Sequence, residues 1–133
     1  MASVIDRAAR ALPGDGLRFE ATPRSLTVPA ATDDGFPVVL VVRSDREYEV
    51  RGEEWTDRFE RSEDAYDCFL FLLSEESRLK VTLRGTTAVG WQIEKREYGF
   101  WVPAHPVRRR LVPIWRPART VYKQNHVFKM ERS

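Results

Sequence analysis

The sequence predicts an α+β domain: an antiparallel sheet of about four to six strands, one main helix at residues 62–73 packed on one face, and a short helix at the N-terminus. Three observations carry this expectation. Apolar residues recur at helical spacing near the start and again after residue 62. From residue 78 the apolar period changes to two. Turn signals such as Pro13-Gly14-Asp15-Gly16 and Gly85-Thr86-Thr87 separate periodic segments.

The elements follow in order. Val4, Ile5, Ala8 and Leu12 form one stripe of a helix over residues 1–12, which Pro13 and Gly14 end. Leu17, Phe19 and Ala21 alternate with polar residues, which predicts a strand; Pro23 marks a bend, and Leu26 and Val28 continue the strand. Residues 29–35 have loop composition. Phe36 to Val42, with four valines in seven residues, predicts a buried strand, and Glu47 to Arg51 a half-buried return strand. Trp55 and Phe59 are assigned to a turn or half-helix.

Ser62 reads as an N-cap, with Glu63 and Asp64 complementing the helix dipole in the first turn. Ala65, Cys68, Phe69, Leu72 and Leu73 share one face of that helix, and it stops before Glu75 and Glu76. Leu79, Val81 and Leu83, then Val89, Trp91 and Ile93, form a hairpin with one apolar face, joined at Gly85-Thr86-Thr87. The helix at 62–73 is the expected cover for that face. Pro103, Pro106, Pro113 and Pro117 confine residues 99–118 to edge strands or extended loops. A last strand is expected within 119–128, with a frayed tail at 129–133.

The chain of 133 residues is expected to form a single domain, 1–133. Leu, Ile, Val and Phe number 34, enough for a packed core and too many for a disordered chain. The longest apolar run is six residues, Cys68 to Leu73, too short to cross a membrane as a helix. One cysteine excludes an internal disulfide and a multi-cysteine zinc site. No secretory signal pattern is present at the N-terminus, so a cytoplasmic location is expected.

The formal net charge of +2 hides an asymmetry. Residues 1–78 hold 10 Arg against 17 Asp and Glu, whereas residues 79–133 hold 12 Arg and Lys against 3 Glu. Such halves either neutralise each other within one domain or mark a contact with another molecule.

Motifs for catalysis and cofactors are absent. There is neither a P-loop nor a dinucleotide-binding glycine motif, and no cofactor is expected. His105 and His126 lack a second ligand at metal spacing, so no metal is expected. Cys68 lies mid-helix among apolar residues, where a thiol acts as a small hydrophobe.

The basic, aromatic C-terminal half stands above this background. Trp101, Arg108, Arg109, Arg110, Trp115 and Arg116 cluster between prolines and form the expected binding surface. Trp and Arg dominate interaction hot spots. The expected function is therefore a non-catalytic domain that binds a protein partner, or itself, through that half. Replacing Arg108, Arg109 and Arg110 by Ala is expected to weaken capture with little change in melting temperature. Two alternatives stand beside it. The same surface would hold single-stranded nucleic acid, with arginines on phosphates and tryptophans stacked on bases. Alternatively, the chain is a small enzyme with His126 or His105 as general base, which requires a histidine in a pocket beside a carboxylate.

Overall fold

The structure is a computed structural model that describes residues 3–14, 17–104 and 118–127, and the backbone of 108–109. Helix α1 spans Val4–Ala11. Its cap is Ser3, whose Oγ accepts a hydrogen bond from the Asp6 amide at 3.1 Å. The stripe Val4, Ile5, Ala8 and Leu12 is buried, as its spacing predicts.

Five antiparallel strands follow as a meander in sequence order: β1 (Glu20–Thr22), β2 (Ser25–Val28), β3 (Val38–Ser44), β4 (Glu47–Gly52) and β5 (Trp55–Phe59). The stretch 17–28 is thus two strands. Thr22 Oγ1 accepts from the amides of Arg24 and Ser25, which folds the chain back at Pro23. In β3, Val38 and Leu40 face the core while Val39 and Val41 are half-buried on the other face, so only one side of this valine-rich strand is covered. Residues 55–59, expected as a turn or half-helix, are β5 instead. Asp57 pairs with Val50 on the core-facing side, which breaks the apolar alternation that betrays a strand.

Helix α2 spans Ser62–Leu73, as predicted. Its cap is Arg61 rather than Ser62, without a side-chain hydrogen bond. Ala65, Cys68, Phe69, Leu72 and Leu73 are buried. The helix packs chiefly on β3 and β4 and only secondarily on the strand that follows it, so its main cover is for the first sheet rather than for the later hairpin. The chain leaves α2 without a glycine: the Ser74 and Ser77 hydroxyls both donate to the Phe71 carbonyl at 2.7 Å.

The second sheet has the order β10-β6-β7-β8, from β6 (Ser77–Arg84), β7 (Thr87–Glu97), β8 (Phe100–Pro103) and β10 (Ala118–Lys123). A two-residue strand, β9 (Arg108–Arg109), pairs with Gly90 and Trp91 of β7. The fold is therefore α+β with a short N-terminal helix and one main helix, and its strands divide into two antiparallel sheets with α2 between them in the chain. One core joins the two: its buried residues run from α1 through Trp55 and Phe69 to Leu79, Val81, Trp91 and Ile93.

Past β10, residues 124–127 form a clasp. Asn125 Oδ1 accepts from the Phe36 amide and Asn125 Nδ2 donates to the Leu72 carbonyl, both at 3.1 Å. The Val127 amide donates to Leu73 O at 3.0 Å, and Gln124 N to Asp34 O at 2.7 Å. The clasp thus satisfies carbonyls at the end of α2 that the helix leaves open. The strand expected within 119–128 stops at Lys123 for this reason. Phe128 and the tail at 129–133 lie outside the described residues. Among the described residues, no helix is long and apolar enough to cross a membrane.

Candidate interaction surface

Strand alternation builds the surface. In β6, Ser77, Leu79 and Val81 are buried, which turns Arg78, Lys80 and Thr82 to the opposite face. Register places Glu94 beside Arg78, Trp101 beside Arg96, and Tyr122 beside Lys80. These side chains lock into a row across four strands. The Arg78 guanidinium lies 3.9 Å from the Tyr122 ring centre and 4.5 Å from that of Trp101. Arg96 lies 5.1 Å from the same Trp101 ring. Arg78 Nε also donates to Glu94 Oε1 at 2.7 Å. Each stacked cation contributes about 0.5–2 kcal/mol, depending on how far it is desolvated.

The row ends at the β7–β8 hairpin tip. Tyr98 and Gly99 both have positive φ, 51° and 82°, the geometry of a two-residue hairpin turn. Tyrosine is a poor occupant of this region, and such strained residues cluster at functional sites. Tyr98 is 94% exposed and Phe100 73%. Two large side chains are thus exposed at the tip, Phe100 on the face opposite Arg96 and Trp101, because it pairs with Glu97.

Charge separates the sheets. Strands β6, β7, β8 and β10 carry seven basic residues against two glutamates. The five strands of the first sheet carry three basic residues against four acidic ones. There, Arg43, Arg51 and Arg58 all converge on Glu49, at 3.1, 2.5 and 3.6 Å. Glu49 is 3% exposed. Burial raises its pKa, but the hydrogen bonds and charges of Arg51 and Arg43 outweigh that and hold the carboxyl below its usual value. The open depression over this cluster, about 780 Å³, is lined by both signs of charge. In the second sheet, Lys80 and Arg119 have no carboxylate in ion-pair reach among the described residues. Lys123 of β10 does pair across the halves, with Glu53, whose carboxylate also accepts the Trp91 indole N–H at 3.0 Å.

Of the residues singled out in the sequence, Trp101 lies on this surface. Arg108 and Arg109 are placed by their backbone in β9, beside Trp91 and Gly90. Their side chains, and Arg110, Trp115 and Arg116, lie outside the described residues. The structure groups Trp101 instead with Arg78, Arg96 and Tyr122. Arg78 was the residue to find: extending the period-two pattern back from Leu79 to Ser77 sets it on the face of Lys80.

The remaining candidates are plainer. His126 borders an open depression of about 310 Å³ with Pro13, Leu17 and Thr32. Its Nε2 lies 3.6 Å from Asp34 Oδ2 and its Nδ1 3.4 Å from Glu75 Oε1. His126 thus stands beside two carboxylates at an open hollow, with each ring nitrogen near one of them. The Thr32 hydroxyl, bonded to Asp34 at 2.5 Å, is the main reason that carboxyl sits below its usual value; His126 adds to it. His105 lies outside the described residues. Cys68 is buried, and burial together with the charge of Asp57 pushes its thiol up, away from the reactive thiolate. Among the described residues no three His, Cys, Asp or Glu side chains gather as a metal site would require. No family model, curated protein or solved structure matches the chain.

Proposed function

We propose that this chain is a non-catalytic binding domain that recognises a protein partner through its second sheet, with Tyr98 and Phe100 at the hairpin tip as apolar anchors and the Tyr122–Arg78–Trp101–Arg96 row as a polar contact on one face of the sheet behind the tip. A reducing cytoplasm is the setting we infer, where the unpaired Cys68 is stable as a thiol. The observation that carries the proposal is the pair of aromatic side chains, 94% and 73% exposed, at the tip of an arginine-rich sheet. Aromatic and arginine side chains supply most interface energy, and exposed apolar side chains rimmed by polar groups are typical of binding sites.

A protein suits this surface better than a nucleic acid. Within the row, Tyr122 and Trp101 already carry Arg78 on one ring face, which leaves the rings at the hairpin tip as the open stacking surface.

The test is affinity capture from native lysate by the wild type and by the double variant Tyr98→Ser/Phe100→Ser, with sedimentation to detect self-association. The proposal expects protein capture or self-association in the wild type, reduced at least about tenfold in the variant at unchanged melting temperature, the loss of two anchors of about 1–2 kcal/mol each. Equal capture by both proteins, or tight salt-sensitive binding of a single-stranded oligonucleotide in place of protein, would falsify it.

A further inference from the structure

Strand β10 is the outermost strand of the second sheet on the side away from β8: it pairs with β6 over Ala118–Lys123, and no described strand pairs with its other side. Ala118, Arg119 and Thr120 are exposed in succession, so both faces of the strand are open there. Tyr122 is 47% exposed. The six residues contain no proline. Such an edge presents backbone N–H and C=O groups in alternation and is a template for one more strand.

Charge selects the occupant. Arg119 shares a face of β10 with Val121 and Lys123, and Lys80 stands across from Tyr122 on the other face. Neither Arg119 nor Lys80 has a carboxylate partner among the described residues. A second copy paired through β10 brings the Arg119 side chains of both copies to one shared edge, while Lys123 is held by Glu53. Like charges across a strand pair destabilise it and opposite charges stabilise it. An added strand lies about 4.8 Å from β10 and about 10 Å from β6, so its side chains meet Arg119 directly and Lys80 through its four-carbon stem.

We infer that the β10 edge takes up an extended acidic segment of a partner protein as an added strand, its backbone paired with β10 and its carboxylates on Arg119 and Lys80. This rests on the reading of the second sheet as the binding surface and names the partner's chemistry.

The test is fluorescence anisotropy with a labelled ten-residue peptide of adjacent Glu pairs separated by Val and Thr, which sets carboxylates on both faces of an added strand, at physiological salt. Three comparison probes are used: the same peptide with alternate backbone nitrogens methylated, the peptide with Lys for Glu, and a mixed-sequence single-stranded oligonucleotide. The acidic peptide is expected to bind saturably, and both altered peptides at least about tenfold more weakly. The variants Arg119→Glu and Lys80→Glu, each checked for folding by circular dichroism, are expected to weaken it about tenfold. Equal binding of the methylated peptide overturns strand addition, since charge alone then suffices. So does absence of saturable binding by the acidic peptide, or tighter binding of the oligonucleotide. If the edge inference fails while capture still depends on Tyr98 and Phe100, only strand addition is lost; if capture is also independent of the tip, the reading of the whole sheet is overturned.

Discussion

The Arg78 guanidinium of β6 lies 3.9 Å from the centre of the Tyr122 ring on β10, and the same group donates to Glu94 of β7 at 2.7 Å. One side chain thus ties three strands together on the open face of the second sheet. Arg78→Ala strands the Glu94 carboxylate, whose side chain is 10% exposed, and is expected to cost about 2–4 kcal/mol. Arg78→Lys keeps the charge but loses the planar stack and is expected to cost about 1–2 kcal/mol. Urea denaturation measures both. A neutral Arg78→Lys would show that the stack contributes nothing.

Asn125 closes the clasp. Asn125→Ala leaves the Phe36 amide and the Leu72 carbonyl without their partner, and is expected to cost about 2–5 kcal/mol. A Cβ at Gly35 would stand 2.8 Å from Asn125 Oδ1, so Gly35→Ala is expected to destabilise by about 1–3 kcal/mol. The two effects share one contact and should not add: the double variant is expected to be little worse than Asn125→Ala alone. Additive losses in denaturant melts would count against this geometry.

Glu49 ties stability to pH. Its folded pKa lies below the ordinary 4.5, so its contribution is present above that value and is lost as the pH falls through the folded pKa. Glu49→Gln is expected to cost about 1–3 kcal/mol at neutral pH. Wild-type and variant stabilities should converge as the pH drops below 4.5. Denaturant midpoints across that range decide it. A constant gap between the curves would mean that ionised Glu49 does not hold the three arginines.

Cys68 is buried, with its thiol pushed up by burial and by Asp57. A thiol reagent is expected to modify it roughly a hundredfold more slowly in the native chain than in the unfolded one. Comparable rates would place the thiol at the surface.

The helices were legible because their periods are clean: Val4, Ile5 and Ala8 are buried, and α2 runs from Ser62 to Leu73 as read. The hairpin of β6 and β7 was legible for the same reason. Strand β5 was not, because Asp57 occupies a core-facing position. Nor was the division into two sheets, since strand pattern reports a face and not a neighbour. The asymmetry of charge was visible along the chain, but its meaning depended on pairing. Arg43, Arg51 and Arg58 converge on one glutamate of the first sheet, while Lys80 and Arg119 of the second find none among the described residues. Trp101 was found from composition; its neighbours Arg78 and Tyr122 are 44 residues apart and meet only through the register of β6 and β10.

The central claim is that the second sheet is the surface that meets a partner. Backbone hydrogen exchange of the chain alone, and of the chain saturated with the protein it captures, tests it most directly. Slowed exchange in residues 94–103 and 118–123 is the predicted result. Slowed exchange confined to the strands of the first sheet, with β7, β8 and β10 unchanged, would contradict it.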